Sequence, residues 1–332
     1  MKTISSITIL RICAMFCILI FHALCFYIGS WNYWRTEIVP IWSFFEPIVE
    51  IGLATFIFIS GFLYGYYNIE KSKYLQFSPF VTKKTKRLLF PYLIWSCIMI
   101  IFLPLNMHWR EMITGTGHLW FLLVLYELFL ICFCLNNFNL FKLSYIYDII
   151  IWLFSFIFLY LWQAISPHRW VMCLESMFFH LPTFFLGIYC AKYKIHYHCH
   201  LKNWAIIIEV ASISTLLLIS HYPINSVPYV THIVIRVSTD IIAVSSFVLA
   251  SSIYIPIKYQ NLLTNLDHNS MGIYIFNQIV VFIVLLIPVC RQFLAIHYLI
   301  GPFVIFLVSF LIPWGLAVLF NKTKYLSWTI GL

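Results

Sequence analysis

The sequence has 332 residues, of which 63% are hydrophobic and 20% aromatic, while only 9% are charged, and its mean hydropathy is +0.94. A soluble domain carries about 25% charged residues, so the composition excludes that class and indicates a polytopic helical membrane protein. The formal net charge of +9 does not indicate a nucleic-acid partner. The lysines instead cluster in loops between apolar runs, as the positive-inside rule requires.

The apolar runs predict an all-α fold, a bundle of about ten transmembrane helices that forms one integral-membrane domain over residues 1–332. The predicted spans are roughly 7–28, 47–67, 88–105, 119–135, 147–165, 176–191, 203–220, 233–255, 272–290 and 298–320. The N-terminus resembles a signal peptide, but its apolar run is too long and no small-residue cleavage site follows. With ten spans, fifteen of the 20 lysines and arginines fall on the N-terminal side, which predicts that both termini are cytoplasmic.

The cysteines and a histidine-rich loop do not predict a metal site. The ten cysteines are scattered, mostly within spans and without a CxxC pair, as is typical of small buried hydrophobic residues. His196, His198 and His200 alternate in a lysine-rich loop, but no second cluster of ligands accompanies them. A closed tetrahedral site needs four ligands, so we expect no bound metal.

The first span contains an arginine and a histidine in an otherwise apolar helix. Eleven residues of α-helix turn through about 1100°, so Arg11 and His22 share one face, about 16 Å apart along the axis. Ionisable groups at such depth are costly unless they face a protein interior or a wet cavity, so the pair predicts a functional site. The alternative is that His22 bonds to a neighbouring helix while Arg11 extends to the lipid headgroups.

Other ionisable residues inside the spans favour structural pairing. Arg236 and Asp240 are four residues apart on the eighth predicted span and are expected to pair along one helix face. Glu127 and Glu209 are also surrounded by apolar residues. The functional alternative is that one of these side chains holds the tautomer of His22. The structural alternative is that these side chains pair with residues of neighbouring helices.

An ordered set of motifs accompanies the arginine-x10-histidine pair of the first span. These motifs are Phe58-Ile-Ser-Gly-Phe-Leu63, Lys84-Thr-Lys-Arg87-Leu-Leu-Phe-Pro-Tyr92, His118-Leu-Trp-Phe-Leu122, Phe184-Phe-Leu-Gly-Ile-Tyr189 and Ser270-Met-Gly-Ile-Tyr-Ile275. In this order the set resembles the integral-membrane acyltransferase-3 family, over about residues 5–320. One motif alone would be a weak signal, whereas the ordered set is specific.

The resemblance implies acyl transfer across a membrane. It implies a donor acyl-CoA in the cytoplasm, with acetyl as the expected acyl group, and no tightly bound cofactor. The acceptor would be a hydroxyl of a cell-surface polysaccharide or a lipid-linked glycan, at the outer face of a bacterial inner membrane. A sugar hydroxyl is a poor nucleophile until a base removes its proton, and an imidazole suits that task. His22 is therefore the predicted general base.

Polyanionic CoA needs cations at the cytoplasmic end of the site. Arg11, Lys84 and Arg87 are the predicted phosphate-binding residues, because guanidinium and ammonium groups bind phosphate well. For Lys84 and Arg87 the alternative is ordinary anchoring of a positive loop at the membrane. The first residue of the basic pair is lysine, where the family has arginine.

Residues of the third motif are candidates for binding the acceptor. His118 is predicted to orient the sugar and Trp120 to stack on its ring, while the alternative is an aromatic belt at the membrane interface. Ser60 and Gly61 favour close helix packing over catalysis.

Asn277 stands where many members of the family have a histidine. The chain is therefore either altered in activity or uses the amide as a hydrogen-bond donor, and the sequence leaves both open. The alternative function is a glycan exporter, or a transport accessory with the same fold and no acyl-transfer chemistry. The sequence does not identify the acceptor sugar, the acyl chain, or whether an acyl-histidine forms.

Overall fold

A computed structural model of the chain describes residues 2–30, 38–70, 76–103, 107–165, 173–195, 202–221 and 228–331. Ten long helices dominate these ranges, and none of the described residues is in a β-strand. They are α1 (Lys2–Ile28), α2 (Ile48–Tyr64), α3 (Phe77–Phe102), α4 (Trp120–Asn137), α5 (Tyr145–Ile165), α6 (Leu174–Lys192), α7 (Lys202–His221), α8 (Pro228–Ser251), α9 (Ile257–Leu286) and α10 (Gly301–Lys322). The histidine run at residues 196–200 lies outside the described residues.

Each of the ten helices overlaps a predicted span. Within the described part of the chain, nine of them are long and apolar enough to cross a membrane. The apolar stretch described in α5, Tyr145–Ile157, is shorter than the others. The structure therefore confirms an all-α, polytopic bundle.

Two helices extend well beyond the predicted spans. Helix α3 begins at Phe77 because a π-helical turn, Thr85–Leu89, joins its polar first turns to the apolar part that contains Pro91. Helix α9 begins at Ile257, so its polar first half is helical although it lacks the hydropathy of a span. It ends at Leu286, before residue 290, because Ile287 precedes Pro288 and is extended. Hydropathy marks only the part of a helix that is in lipid.

Helix α1 lies among four other helices of the bundle. It packs against α2, α8, α9 and α10, and most of its described side chains are buried or half-buried. Because α1 carries Arg11 and His22, this position places both side chains in the interior of the bundle.

Helices α2 and α6 cross in close contact. A Cβ on Gly61 would lie 2.1 Å from the carbonyl oxygen of Phe184, and one on Gly187 would lie 2.2 Å from that of Phe58. Only glycine fits at such a crossing. The structure thus confirms the packing interpretation of Gly61.

The C-terminal turn lies at the end of the bundle where α1 begins. The 3₁₀ turn Ser327–Ile330 packs against α3, where the Trp95 indole N–H donates to the carbonyl of Thr329 at 2.8 Å. Arg11 and Gly331 line the same cavity. The first third of α1, the basic turns of α3 and the C-terminal turn therefore share one end of the bundle.

Candidate functional site

Cavities lie at two depths along α1. The proximal cavity, near the start of α1, has an inner compartment of about 210 Å³ and an adjoining outer compartment of about 790 Å³. The residues that line both compartments are Arg11, Lys83, Arg87, Asp267 and His268. The distal cavity has a volume of about 550 Å³ and lies further along α1. It is lined by His22, Glu50, His118, Trp120 and Gln278, among others.

The predicted phosphate-binding residues meet in the proximal cavity. Arg87 lines both compartments, and Lys84 lines the inner one. The Lys84 ammonium nitrogen lies 3.1 Å from the centroid of the Phe129 ring, a cation–π contact. Lys84 is only half-exposed, so its charge is directed into the bundle. This position is more specific than membrane anchoring requires, and the phosphate role of Lys84 and Arg87 stays a prediction.

Arg11 is held by an acidic residue that the sequence reasoning missed. Its Nη1 donates to Oδ1 of Asp267 at 2.5 Å, and the Thr8 hydroxyl donates to Oδ2 of the same carboxylate at 3.1 Å. The two charged side chains are about one-fifth exposed, 22% and 19%. Arg11 therefore does not extend to lipid headgroups. The feature of the sequence that points to Asp267 is its position, three residues before the motif that begins at Ser270.

His22 is bonded through its Nδ1 to Asn277. The Asn277 Oδ1 lies 2.5 Å from His22 Nδ1, and both side chains are buried. The Asn277 Nδ2 donates to the carbonyl oxygen of Ser309 at 2.9 Å, which fixes the orientation of the amide. Oδ1 must then accept a hydrogen bond from the imidazole, so Nδ1 carries the proton. In a neutral imidazole this leaves the basic lone pair on Nε2.

This contact shows what Asn277 does in the fold, and whether the activity is altered stays open. The amide accepts from His22 and donates to α10, so it holds one tautomer of the imidazole. The structural alternative for the first span is thus correct in one respect, since His22 does bond to a neighbouring helix. The bond also leaves the lone pair of a neutral imidazole on Nε2, which is the arrangement that a general base requires.

His118 is the second imidazole of the distal cavity. Its Nε2 lies 3.0 Å from the carbonyl oxygens of both Tyr274 and Ile275, so Nε2–H is the donor and Nδ1 bears the lone pair. Nδ1 is buried and has no hydrogen-bond partner among the described residues. The His22 and His118 rings are edge-to-face, with centroids 5.7 Å apart. The structure therefore places two hydrogen-bond acceptors of the same chemistry in one cavity.

The position of His118 is fixed by its backbone. The His118 N–H donates to Oε1 of Gln278 at 2.8 Å, and the Tyr274 hydroxyl donates to the His118 carbonyl. All three residues are buried. The short 3₁₀ turn Gly117–Leu119 is thus tied to α9 on both sides of the imidazole.

Trp120 lines the distal cavity and stacks on His180, with ring centroids 6.0 Å apart and planes at 15°. His180 in turn accepts a hydrogen bond from Arg236 Nη1 at 2.7 Å. Arg236 Nε lies 3.3 Å from Asp240 Oδ1, which confirms the predicted pairing on α8. These buried residues support the wall that carries Trp120.

The two acidic residues proposed as partners of His22 have other surroundings. Glu209 accepts a hydrogen bond from Ser246 at 2.8 Å. Both carboxylate oxygens of Glu127 are buried without a hydrogen-bond partner among the described residues. The group at Nδ1 of His22 is the Asn277 amide instead.

Two further residues were missed by sequence reasoning. Glu50 lines the distal cavity, and its Oε2 is buried with no hydrogen-bond partner among the residues described. An acidic residue inside the second predicted span was the available signal. Tyr274 lines both the inner proximal compartment and the distal cavity. It belongs to a quoted motif, but sequence alone does not show that it stands between two cavities.

The geometry defines a class of protein: a multi-pass membrane protein with a cation-lined cavity and a histidine-lined cavity that meet at Tyr274. The family model described as an acyltransferase domain matches residues 4–321, so the chain belongs to the acyltransferase-3 family. It is a membrane acyltransferase. No curated protein and no solved structure matches the chain significantly.

Proposed function

We propose that this acyltransferase moves an acetyl group from acetyl-CoA, or another acyl group from its CoA ester, to a hydroxyl of a cell-surface polysaccharide or lipid-linked glycan. The observation that carries the proposal is the His22–Asn277–Ser309 chain of hydrogen bonds, which leaves a basic Nε2 on a residue that lines the distal cavity. In this proposal the protein lies in a bacterial inner membrane. Both termini are cytoplasmic, because fifteen of its 20 lysines and arginines then face the cytoplasm.

The proximal cavity is the proposed donor site. Arg11, Lys84 and Arg87 line it and supply cations for the phosphates of CoA. From Asp267 to Tyr274 the inner compartment follows seven residues of α9, which rise about 10 Å. A pantetheine arm that lies along this stretch brings its thioester to Tyr274.

The distal cavity is the proposed acceptor site. Trp120 offers an aromatic ring to a sugar, and the buried Glu50 Oε2 and His118 Nδ1 are acceptors for sugar hydroxyls. A buried acceptor without a partner is costly, so a polyhydroxylated ligand that donates to both groups is favoured there. Membrane lipids complete the surroundings, and no bound cofactor or nucleic acid is needed.

In this mechanism His22 accounts for both proton transfers of the reaction. His22 Nε2 removes the proton of the acceptor hydroxyl as its oxygen attacks the thioester carbonyl. The tetrahedral intermediate collapses, the carbon–sulfur bond breaks, and the proton passes from the imidazolium to the departing CoA thiolate. Tyr274 lies between the two cavities, so its side chain must move for the thioester and the hydroxyl to meet.

The proposal is tested by measuring the acetyl content of surface glycan from cells that carry His22→Ala or wild type at matched expression. Loss of acetylation at an unchanged amount of glycan is expected. His221→Ala is the matched control, because His221 is an exposed histidine at the end of α7. Unchanged acetylation in His22→Ala refutes the catalytic role. A fall in the amount of surface glycan, with its acetyl content preserved, would instead identify an exporter.

A further inference from the structure

The C-terminal turn lies beyond the part of the chain that the family match covers, residues 4–321. It is nevertheless firmly packed. Thr329 and Ile330 are buried, and the Thr329 carbonyl accepts the Trp95 hydrogen bond. Gly331 has a φ of +76°, and a Cβ there would lie 2.6 Å from the carbonyl oxygen of Arg87. These contacts fix the turn beside the basic residues of α3.

Two aromatic rings line the outer proximal compartment next to this turn. Trp328 is 45% exposed and Phe90 is 40% exposed, although their neighbours Thr329 and Pro91 are buried. Their ring centroids are 6.5 Å apart with planes at 77°. A planar ligand can therefore stack on the indole while its edge meets the second ring.

The same compartment is strongly basic. Among the described residues, its lining includes four cationic side chains, Arg11, Lys83, Lys86 and Arg87. It includes one acidic side chain, Asp267. Arginine and lysine at this density suit a ligand with several phosphates. The volume of about 790 Å³ lies within the range of sites for small molecules and cofactors.

Since rings and cations line one compartment, we propose that it binds the purine nucleotide end of the donor, with Trp328 stacked on the base and the basic residues on the phosphates. This inference rests on the proposed function, because acyl-CoA is the donor that carries such a nucleotide. The smaller inner compartment, about 210 Å³, then holds the pantetheine arm. The chain thus uses a segment outside the family match to recognise its donor.

A tryptophan at the end of a membrane bundle also serves as an interfacial anchor, and an anionic lipid headgroup also supplies phosphate. The test uses the full-length protein in lipid nanodiscs and three probes: CoA, adenosine 3′,5′-bisphosphate and phosphopantetheine. The first two carry the purine, whereas the third carries a phosphate and the arm without it. Dissociation constants are measured by calorimetry for wild type, Trp328→Ala, Trp328→Phe and Trp204→Ala.

Trp328→Ala is expected to weaken the binding of CoA and of the bisphosphate about 5- to 160-fold, the usual loss for one base stacked on an aromatic residue. Binding of phosphopantetheine stays unchanged, and Trp328→Phe retains most of the affinity. Trp204→Ala is the control, because Trp204 is a 65% exposed tryptophan at the start of α7, and it is expected to match wild type.

An equal loss for all three probes would reduce Trp328 to a structural or anchoring role and overturn the inference. If Trp328→Ala binds CoA as tightly as the wild-type protein does, the inference is overturned as well, while the proposed donor stands. Failure of the wild-type protein to bind either purine probe would overturn the purine site together with the donor assignment. Binding of the bisphosphate without any acyl transfer would support the site and contradict the proposed function.

Discussion

The hydrogen bond between Asn277 and His22 gives the sharpest prediction about the chemistry. The two side chains are 1% and 5% exposed, so bulk solvent does not reach their hydrogen bond. The Nδ1–H of His22 would lose its partner at 2.5 Å. Leaving a buried donor unsatisfied costs about 1–3 kcal/mol. The change therefore destabilises the tautomer that carries its proton on Nδ1 and has a basic Nε2.

The expected result for Asn277→Ala is a fall in kcat of about 10- to 100-fold, the usual effect of removing a group that orients a catalytic or ligating histidine. The KM for acetyl-CoA should change little, because the donor cavity does not include Asn277. Asn277→Asp should retain more activity, since a carboxylate oxygen also accepts from Nδ1–H. The assay is acetyl transfer by purified protein in nanodiscs, with kcat and KM measured separately.

Asn269→Ala is the matched control for this series. Asn269 is also 1% exposed on α9, and its Nδ2 donates to the carbonyl of Asn265 rather than to a residue of the distal cavity. It should lower the melting temperature as much as Asn277→Ala while leaving kcat near wild type. A folded Asn277→Ala protein with kcat within about twofold of wild type would refute the tautomer argument.

Two further predictions concern the wall between the cavities and the packing of the bundle. Tyr274→Leu should raise the hydrolysis of acetyl-CoA without acceptor several-fold, because a shorter side chain opens the inner compartment to the distal cavity, and release of CoA thiol measures it. Unchanged hydrolysis would show that Tyr274 does not separate the two. Gly187→Ala should destabilise the protein by about 1–3 kcal/mol, the range for overpacking, because its Cβ would lie 2.2 Å from the Phe58 carbonyl oxygen. Gly315→Ala on α10 has no atom within 4 Å of its Cβ and should melt at or above the wild-type temperature, and equal melting of the two variants would contradict this account.

The sequence predicts the class of fold well because the membrane imposes a simple rule. A span needs about 20 apolar residues, so each predicted span overlaps a helix. The rule does not reach the polar half of α9, where Asp267 lies. Hydropathy measures transfer into lipid, so it does not predict a helix through these polar residues, and the partner of Arg11 was therefore missed.

The sequence named residues that share cavities, but it did not give their contacts. His22, His118 and Trp120 line one cavity and Arg11, Lys84 and Arg87 line the other, and their roles there stay predictions. Their partners could not be read from the sequence, because the rotation and depth of one helix against another depend on packing across the whole bundle. Glu50 illustrates this limit, since only the crossing of α1 and α2 brings its carboxylate to the cavity that His22 lines.

The eleven-residue spacing of Arg11 and His22 has a counterpart on α9. Arg11 bonds to Asp267 and His22 bonds to Asn277, so both contacts join the same two helices. The spacing is about 16 Å on α1 and about 15 Å on α9. Two helices that run in the same direction therefore meet at two polar contacts, one at each cavity. One inserted residue between Arg11 and His22 would turn the imidazole by about 100° away from α9. The motif thus fixes the depth and the direction of the basic nitrogen relative to the donor site.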